Sequence, residues 1–131
     1  MYSEYVFLLS RLILGFFFLF NSYNHFRNLK TLSQYLKSKN IILPKFSVIF
    51  TGILLLIGGL SILFGIYVEV GVLALTLFFL PVTFIVHSFW KESDPQERMV
   101  DITNFMKNMA IWAGVLSLLY VPKPWSFSLF Y

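Results

Sequence analysis

A chain of 131 residues that is 58% hydrophobic and 12% charged, with a mean hydropathy of +0.77, lies outside the range of soluble domains and reads as an integral membrane protein. The absence of cysteine excludes a disulfide, a thiolate metal site and a thiol relay. The net charge of +4 does not point to nucleic acid, because the excess sits in one loop beside an apolar segment, where anionic lipid is the simpler partner.

Taken in order, the chain offers four apolar stretches of membrane-crossing length, at about 5–26, 47–66, 70–90 and 104–121. They use most of the chain, so the expectation is all-α: an integral membrane four-helix bundle, one domain over residues 1–131. The first stretch is too long for a signal peptide, lacks a basic start and has no small-residue cleavage site. Inside it, Arg11 is costly in hydrocarbon, by roughly 2.5 kcal/mol or more, and should face protein or water. Arg11, Gly15, Phe18, Ser22 and His25 follow spacings of four and three and so share one helix face.

The next segment carries Arg27, Lys30, Lys37, Lys39 and Lys45 without an acid. Leu29, Leu32 and Leu36 recur at helical spacing within it, which predicts a short helix over about 29–38 lying on the membrane surface; a plain polar loop is the alternative. The connection at Tyr67 to Glu69 is short enough to make the second and third spans an antiparallel hairpin, and Glu69 is a candidate partner for Arg11. Ser61 and Gly65, Ala110 and Gly114, and Ala113 and Ser117 are small-residue pairs four apart that let helices approach closely.

Pro81 interrupts the third span and frees the carbonyl of Leu77, giving a tolerated kink or a kink beside a polar cavity. Thr76, Thr83 and His87 form a polar stripe on that span; Asn104, Lys107, Gly114 and Ser117 form another on the fourth. These stripes and that of Arg11 should converge on the bundle interior. In the loop between, Asp94 reads as an N-cap, Pro95 as the first helical residue and Glu97 as a capping-box acid, so the last helix begins there and enters the membrane near Thr103. With Lys91 and Arg98, the basic residues place loops 27–46 and 91–103 in the cytoplasm and both termini outside, in a multi-pass cell-membrane protein.

This topology puts Asn21, His25, His87, Asn104, Lys107 and Asn108 in the cytoplasmic half, and His87, Asn104, Lys107 and Asn108 should border one pocket there. The rival readings are structural: Lys107 snorkels to the headgroups, Arg11 sits in an ion pair, and the polar groups form a closed cluster. Two histidines at similar depth raise bis-histidine haem, but His25 lies at a helix end and no other feature marks a haem or metal site. Asp101 and Glu92 are read as solvated. No nucleophile triad or phosphate loop is visible, so catalytic residues are unknown.

The segments RLILGFFFLFNSYNHF, LPKFSVIFTGILLLIGGLSILFG and HSFWKESDPQERMVDITNFMKNMAIWAG, in this order and spacing, resemble the DoxX family of membrane proteins. The last holds the family-like His-x-Phe-Trp and Asn-Phe-x-Lys-Asn patterns. The resemblance covers nearly the whole chain and implies a four-helix membrane bundle. It also implies Arg11, His25, His87, Phe89, Trp90, Asn104, Lys107 and Asn108 as a shared set; Ser22 joins them from the first stripe.

Family members are named for subunits of a terminal quinol oxidase and of thiosulfate:quinone oxidoreductase, and related proteins are linked to membrane thiol-redox systems. The resemblance therefore implies a non-catalytic subunit or accessory protein of a quinone-linked redox system, with lipid and membrane or redox proteins as partners. The rival is a quinone- or small-ligand-binding oxidoreductase subunit, in which Lys107 or His87 donates to a carbonyl and Phe89 and Trp90 flank the ring. A small-solute carrier is a third reading, without the internal repeat that would mark it. No cofactor is certain, and quinone stays open. Many relatives place a Glu three residues before the first glycine of the Gly58–Gly59 pair; Leu55 stands there, which counts against proton or redox chemistry in this chain.

Overall fold

Arg11, Gly15, Phe18 and Ser22, spaced four and three apart, are the buried residues of the first helix, α1 (Tyr2–Arg27). Its other faces carry Leu9, Ile13, Phe16 and Phe20, each more than half exposed. One polar-lined stripe thus turns inward and large apolar side chains turn outward, the arrangement a helix adopts when its solvent is lipid. These features come from a computed structural model that describes residues 2–129.

After α1 the chain forms α2 (Leu29–Ser38), α3 (Pro44–Phe64), α4 (Val68–Pro81) and α5 (Pro95–Ser117). Among the described residues every regular element is helical. Three helical segments are long and apolar enough to cross a membrane: Tyr2–Arg27, Pro44–Phe64 and Val68–Lys91. The expected fourth span is not among them, because Asp101, Asn104, Lys107 and Asn108 lower the hydropathy of α5 even beyond its charged first turns.

The three spans pack side by side, α1 on α3 and α3 on α4, while α5 leans on α4 and its continuation. Absent side chains set the α3–α4 distance. A Cβ on Gly58 would lie 2.3 Å from Leu75 Cγ, and one on Gly71 would lie 2.3 Å from Ser61 Oγ. Phe18, Leu55, Ile62, Leu75, Phe79 and Val115 fill the core between them.

The small-residue pairs on α5 do no such work. Gly114 meets nothing within 4 Å of an added Cβ, and Ala110, Ala113 and Ser117 are exposed with it. The pattern licenses close approach, but no helix of this chain takes that face.

Pro81 does not bend a continuous α-helix. The chain passes into a π-helical turn at Val82–Val86, where the His87 N–H reaches the Val82 carbonyl at 3.1 Å, and then a short 3₁₀ turn at Phe89–Lys91. Asp94 caps α5 by accepting from the Glu97 N–H at 3.0 Å. The reciprocal half of the box falls to Glu92, which takes the Asp94 N–H at 3.1 Å. Trp112 donates its indole N–H to Thr76 Oγ1 at 3.0 Å and ties α5 to α4. Beyond a last 3₁₀ turn at Leu118–Tyr120 the chain folds back: Trp125 is buried edge-on against Phe7, and the Leu129 N–H bonds the Phe64 carbonyl.

Gly58→Ala should lower stability by about 1–3 kcal/mol, since Leu75 is fully buried and cannot step aside. Gly114→Ala should be neutral or stabilising by up to about 1 kcal/mol, as in any open helix interior. Thermal unfolding of the two purified variants in one detergent checks the pair, and equal losses would contradict this packing.

Candidate functional site

The two ends of the molecule handle charge differently. At one end Arg11 is fully buried and, among the described residues, pairs with no carboxylate. Its Nε donates to the Ile62 carbonyl at 3.1 Å and Nη2 to the Leu63 carbonyl at 3.0 Å, the last turn of α3. Nη1 donates to the Ser126 carbonyl at 2.6 Å, in the returning tail. A cation at a helix C-terminus satisfies orphan carbonyls and the negative end of the dipole together. The guanidinium also stacks over Trp125, 5.3 Å from the ring centroid. Gly65, at φ +68°, ends α3 there; a Cβ on it would lie 2.8 Å from Arg11 Nη2. Glu69, the partner expected for Arg11, instead pairs with Lys123 at the surface.

At the other end lies a partly open cavity of about 710 Å³, reached by all five helices. Its walls are apolar, with Phe17, Phe18, Phe50, Leu55, Phe78 and Phe79. Its polar groups are Asn21, Asn24 and His25 from α1, His87 from the end of the π turn, and Asn104, Lys107 and Asn108 from α5. Leu32, Tyr35 and Leu36 of α2 form one side, so the amphipathic helix turns its apolar face toward the cavity.

Of the nine residues singled out in the sequence, the structure brings five to this cavity: His25, His87, Asn104, Lys107 and Asn108. Four lie elsewhere. Arg11 holds the far end. Ser22 is buried, donating to the Gly52 carbonyl at 2.7 Å where α1 crosses α3. Phe89 and Trp90 belong to an aromatic cluster with Phe105, with Trp90 half exposed; they do not line the cavity. On the third stripe, Thr76 serves Trp112, while the Thr83 hydroxyl is buried in the π turn without a hydrogen-bond partner.

The residue that sequence reasoning missed is Asp101. Far from solvated, it is 1% exposed and accepts on both oxygens. Oδ2 takes the Lys39 ammonium at 2.5 Å and Oδ1 faces His87 Nδ1 at 3.2 Å. Glu92 stands 3.8 Å from Lys39 and is partly covered as well. An apolar-flanked Asp one helical turn before a polar run, with an unpaired basic helix end upstream, is the only signal the sequence offers.

Desolvation by itself would lower the Lys39 pKa, but the hydrogen bond it donates to Asp101 and the charges of Asp101 and Glu92, joined by Tyr35 where the phenol ionises, outweigh it, and the pKa is raised above its ordinary value. The Lys39 charge is therefore complete at neutral pH, and its contribution to stability is lost as pH climbs through the raised value. Burial likewise raises the phenol of Tyr35 above its ordinary 10.0, so it stays neutral and able to donate.

His25 donates from Nδ1 to the Asn21 carbonyl at 2.8 Å, and His87 engages Asp101 through the same ring atom. Among the described residues, no group of three His, Asp or Glu gathers in a metal-holding arrangement. What the site can do is hold an elongated molecule by apolar contact and meet one polar end of it with amides, imidazoles and an ammonium.

Compared with known protein families, residues 6–88 match the family described as DoxX. No curated protein and no solved structure matches the chain.

Arg11→Met should destabilise the protein by about 2–4 kcal/mol, because four backbone carbonyls, those of Ile62, Leu63, Ser126 and Phe127, lose a charged donor. It should also free the returning tail, seen as rapid proteolysis within residues 121–129 at a temperature where the wild type resists. A tail equally protected in both would contradict the clamp.

Proposed function

We propose, from the premise that this chain belongs to the DoxX family of membrane proteins, that it binds an amphiphilic lipid-soluble molecule with a polar ring, of the quinone class, and serves as a small subunit of a quinone-linked membrane system. The cavity carries this reading: about 710 Å³, apolar along its walls and polar at one side, it suits a substituted ring with a hydrocarbon tail. Among its described lining residues Lys107 is the one fixed charge, so the site favours a neutral or anionic acceptor over a cation. In this reading Asn108, 7% exposed, and Lys107 donate to a carbonyl oxygen while Phe18, Phe78 and Phe79 surround the ring. Buried amides and imidazoles facing an apolar space cost free energy unless something completes their hydrogen bonds, and a polar ring does so.

The non-catalytic role is the companion part of the proposal. With Leu55 where many relatives carry an acid, and no cysteine, the chain offers the cavity no thiol and no carboxylate of its own in that position.

The proposal also includes a fourth crossing, by α5. That helix begins beside His87 and ends where the tail packs on Arg11, so it runs the length of the three spans. From Asn104 to Ser117 it rises about 20 Å and the 3₁₀ turn to Tyr120 adds about 6 Å, close to the hydrocarbon thickness. Loops 27–46 and 91–103 would then face the cytoplasm.

A short-chain quinone titrated into protein in lipid nanodiscs should bind wild type saturably, at one site. Asn108→Leu and Lys107→Met should each weaken binding by about tenfold while the fold persists. Unsaturable partitioning, identical in all three, would sink the reading. For orientation, a reporter fused after Tyr131, a position outside the described residues, should read non-cytoplasmic; a cytoplasmic signal overturns the fourth crossing or the sidedness.

A further inference from the structure

The cavity has one cover that is not a transmembrane helix, and a single carboxylate reaches both that cover and the cavity's polar edge. α2 lies over the cavity with Leu32, Tyr35 and Leu36, yet no residue of α2 is fully buried. It is bounded by Asn28, whose φ of −111° breaks the path from α1, and by Asn40 and Leu43, both in the left-handed region at φ 61° and 50°. Its far end is held by Lys39, whose ammonium leaves α2 and crosses to Asp101 of α5. The same carboxylate faces His87. A carboxylate can only accept, so the ring atom facing it, Nδ1, must carry the proton. That leaves Nε2 as the atom His87 offers to the cavity, with its tautomer set from behind.

We infer that Asp101 is a positioning residue for the cavity: through Oδ1 it fixes the tautomer and aim of His87, and through Oδ2 it fastens α2 over the bound molecule. The inference rests on the reading of the cavity as a binding site. Two functions meet in one side chain because its two oxygens point to two elements, the end of the π turn and the end of α2. Lifting α2 widens the cavity and strips Lys39 from the carboxylate that orients His87.

The chain's composition makes this testable without any ligand. It has no cysteine and two histidines. In the background His25→Gln, the ¹⁵N shifts of the single remaining imidazole report its tautomer. In a separate Leu36→Cys background, the rate of modification by a water-soluble maleimide reports how often α2 lifts. Wild-type Asp101 should give a predominantly Nδ1-protonated ring and slow labelling.

Asp101→Asn should mix the tautomers and speed labelling by about tenfold, as expected when one partner of a covered ion pair is removed. The exchange Lys39→Asp with Asp101→Lys should restore slow labelling and leave the tautomer mixed, because an ammonium cannot accept from Nδ1. A purely structural carboxylate would change labelling and tautomer together in the exchange, and that result overturns the inference. So does an Asp101→Asn variant with unchanged ring and unchanged labelling. Failure of quinone to bind, with both readouts behaving as stated, would overturn the cavity's ligand and leave the role of Asp101 standing.

Discussion

A charge removed from water must find its hydrogen bonds within the protein, and among the described residues Arg11 finds them on backbone carbonyls. Its donors are spent on the open carbonyls at the end of α3 and on the tail that returns from α5. That choice explains the far end of the molecule. Gly65 ends α3 without a side chain beside the guanidinium, Trp125 and Phe7 close over it, and the tail is drawn onto α1 and α3. With that end closed by backbone, the polar groups with open valences gather at the opposite end, around the cavity.

The cavity follows from how the helices are spaced. Glycines bring α3 hard against α4, while α5 leans on α4 through larger side chains and a tryptophan. A bundle packed tightly on one side and loosely on the other leaves a cavity at one end, and α2 lies over it. The π turn after Pro81 has its effect here: it sets His87 at the cavity edge and against Asp101, at a point where a regular helix would have carried the chain onward.

What the sequence made legible was local. The spacing of Arg11, Gly15, Phe18 and Ser22 foretells the buried stripe of α1, and Asp94 with Pro95 marks the start of α5. The motif residues His87, Asn104, Lys107 and Asn108 come to one cavity because a short loop joins their helices. Phe89 and Trp90 belong to the same motif yet fall outside, because the 3₁₀ turn swings them toward Phe105. The partners of Arg11 were illegible for a physical reason: backbone carbonyls belong to every residue and leave no mark in the sequence. Asp101 was illegible for another, since its partner Lys39 is 62 residues away and reaches it only once α2 folds across. The small residues of α5 mislead in the opposite sense, for a pattern that permits packing does not supply the neighbour.

The central claim is that the cavity holds one amphiphile with a polar ring. Native mass spectrometry of the protein released directly from the membrane in which it is made tests this most directly. The account predicts a one-to-one adduct whose fragment mass is that of an isoprenoid quinone, retained at collision energies that strip phospholipid. Release of the bare chain, or only a statistical spread of phospholipid adducts, would contradict it.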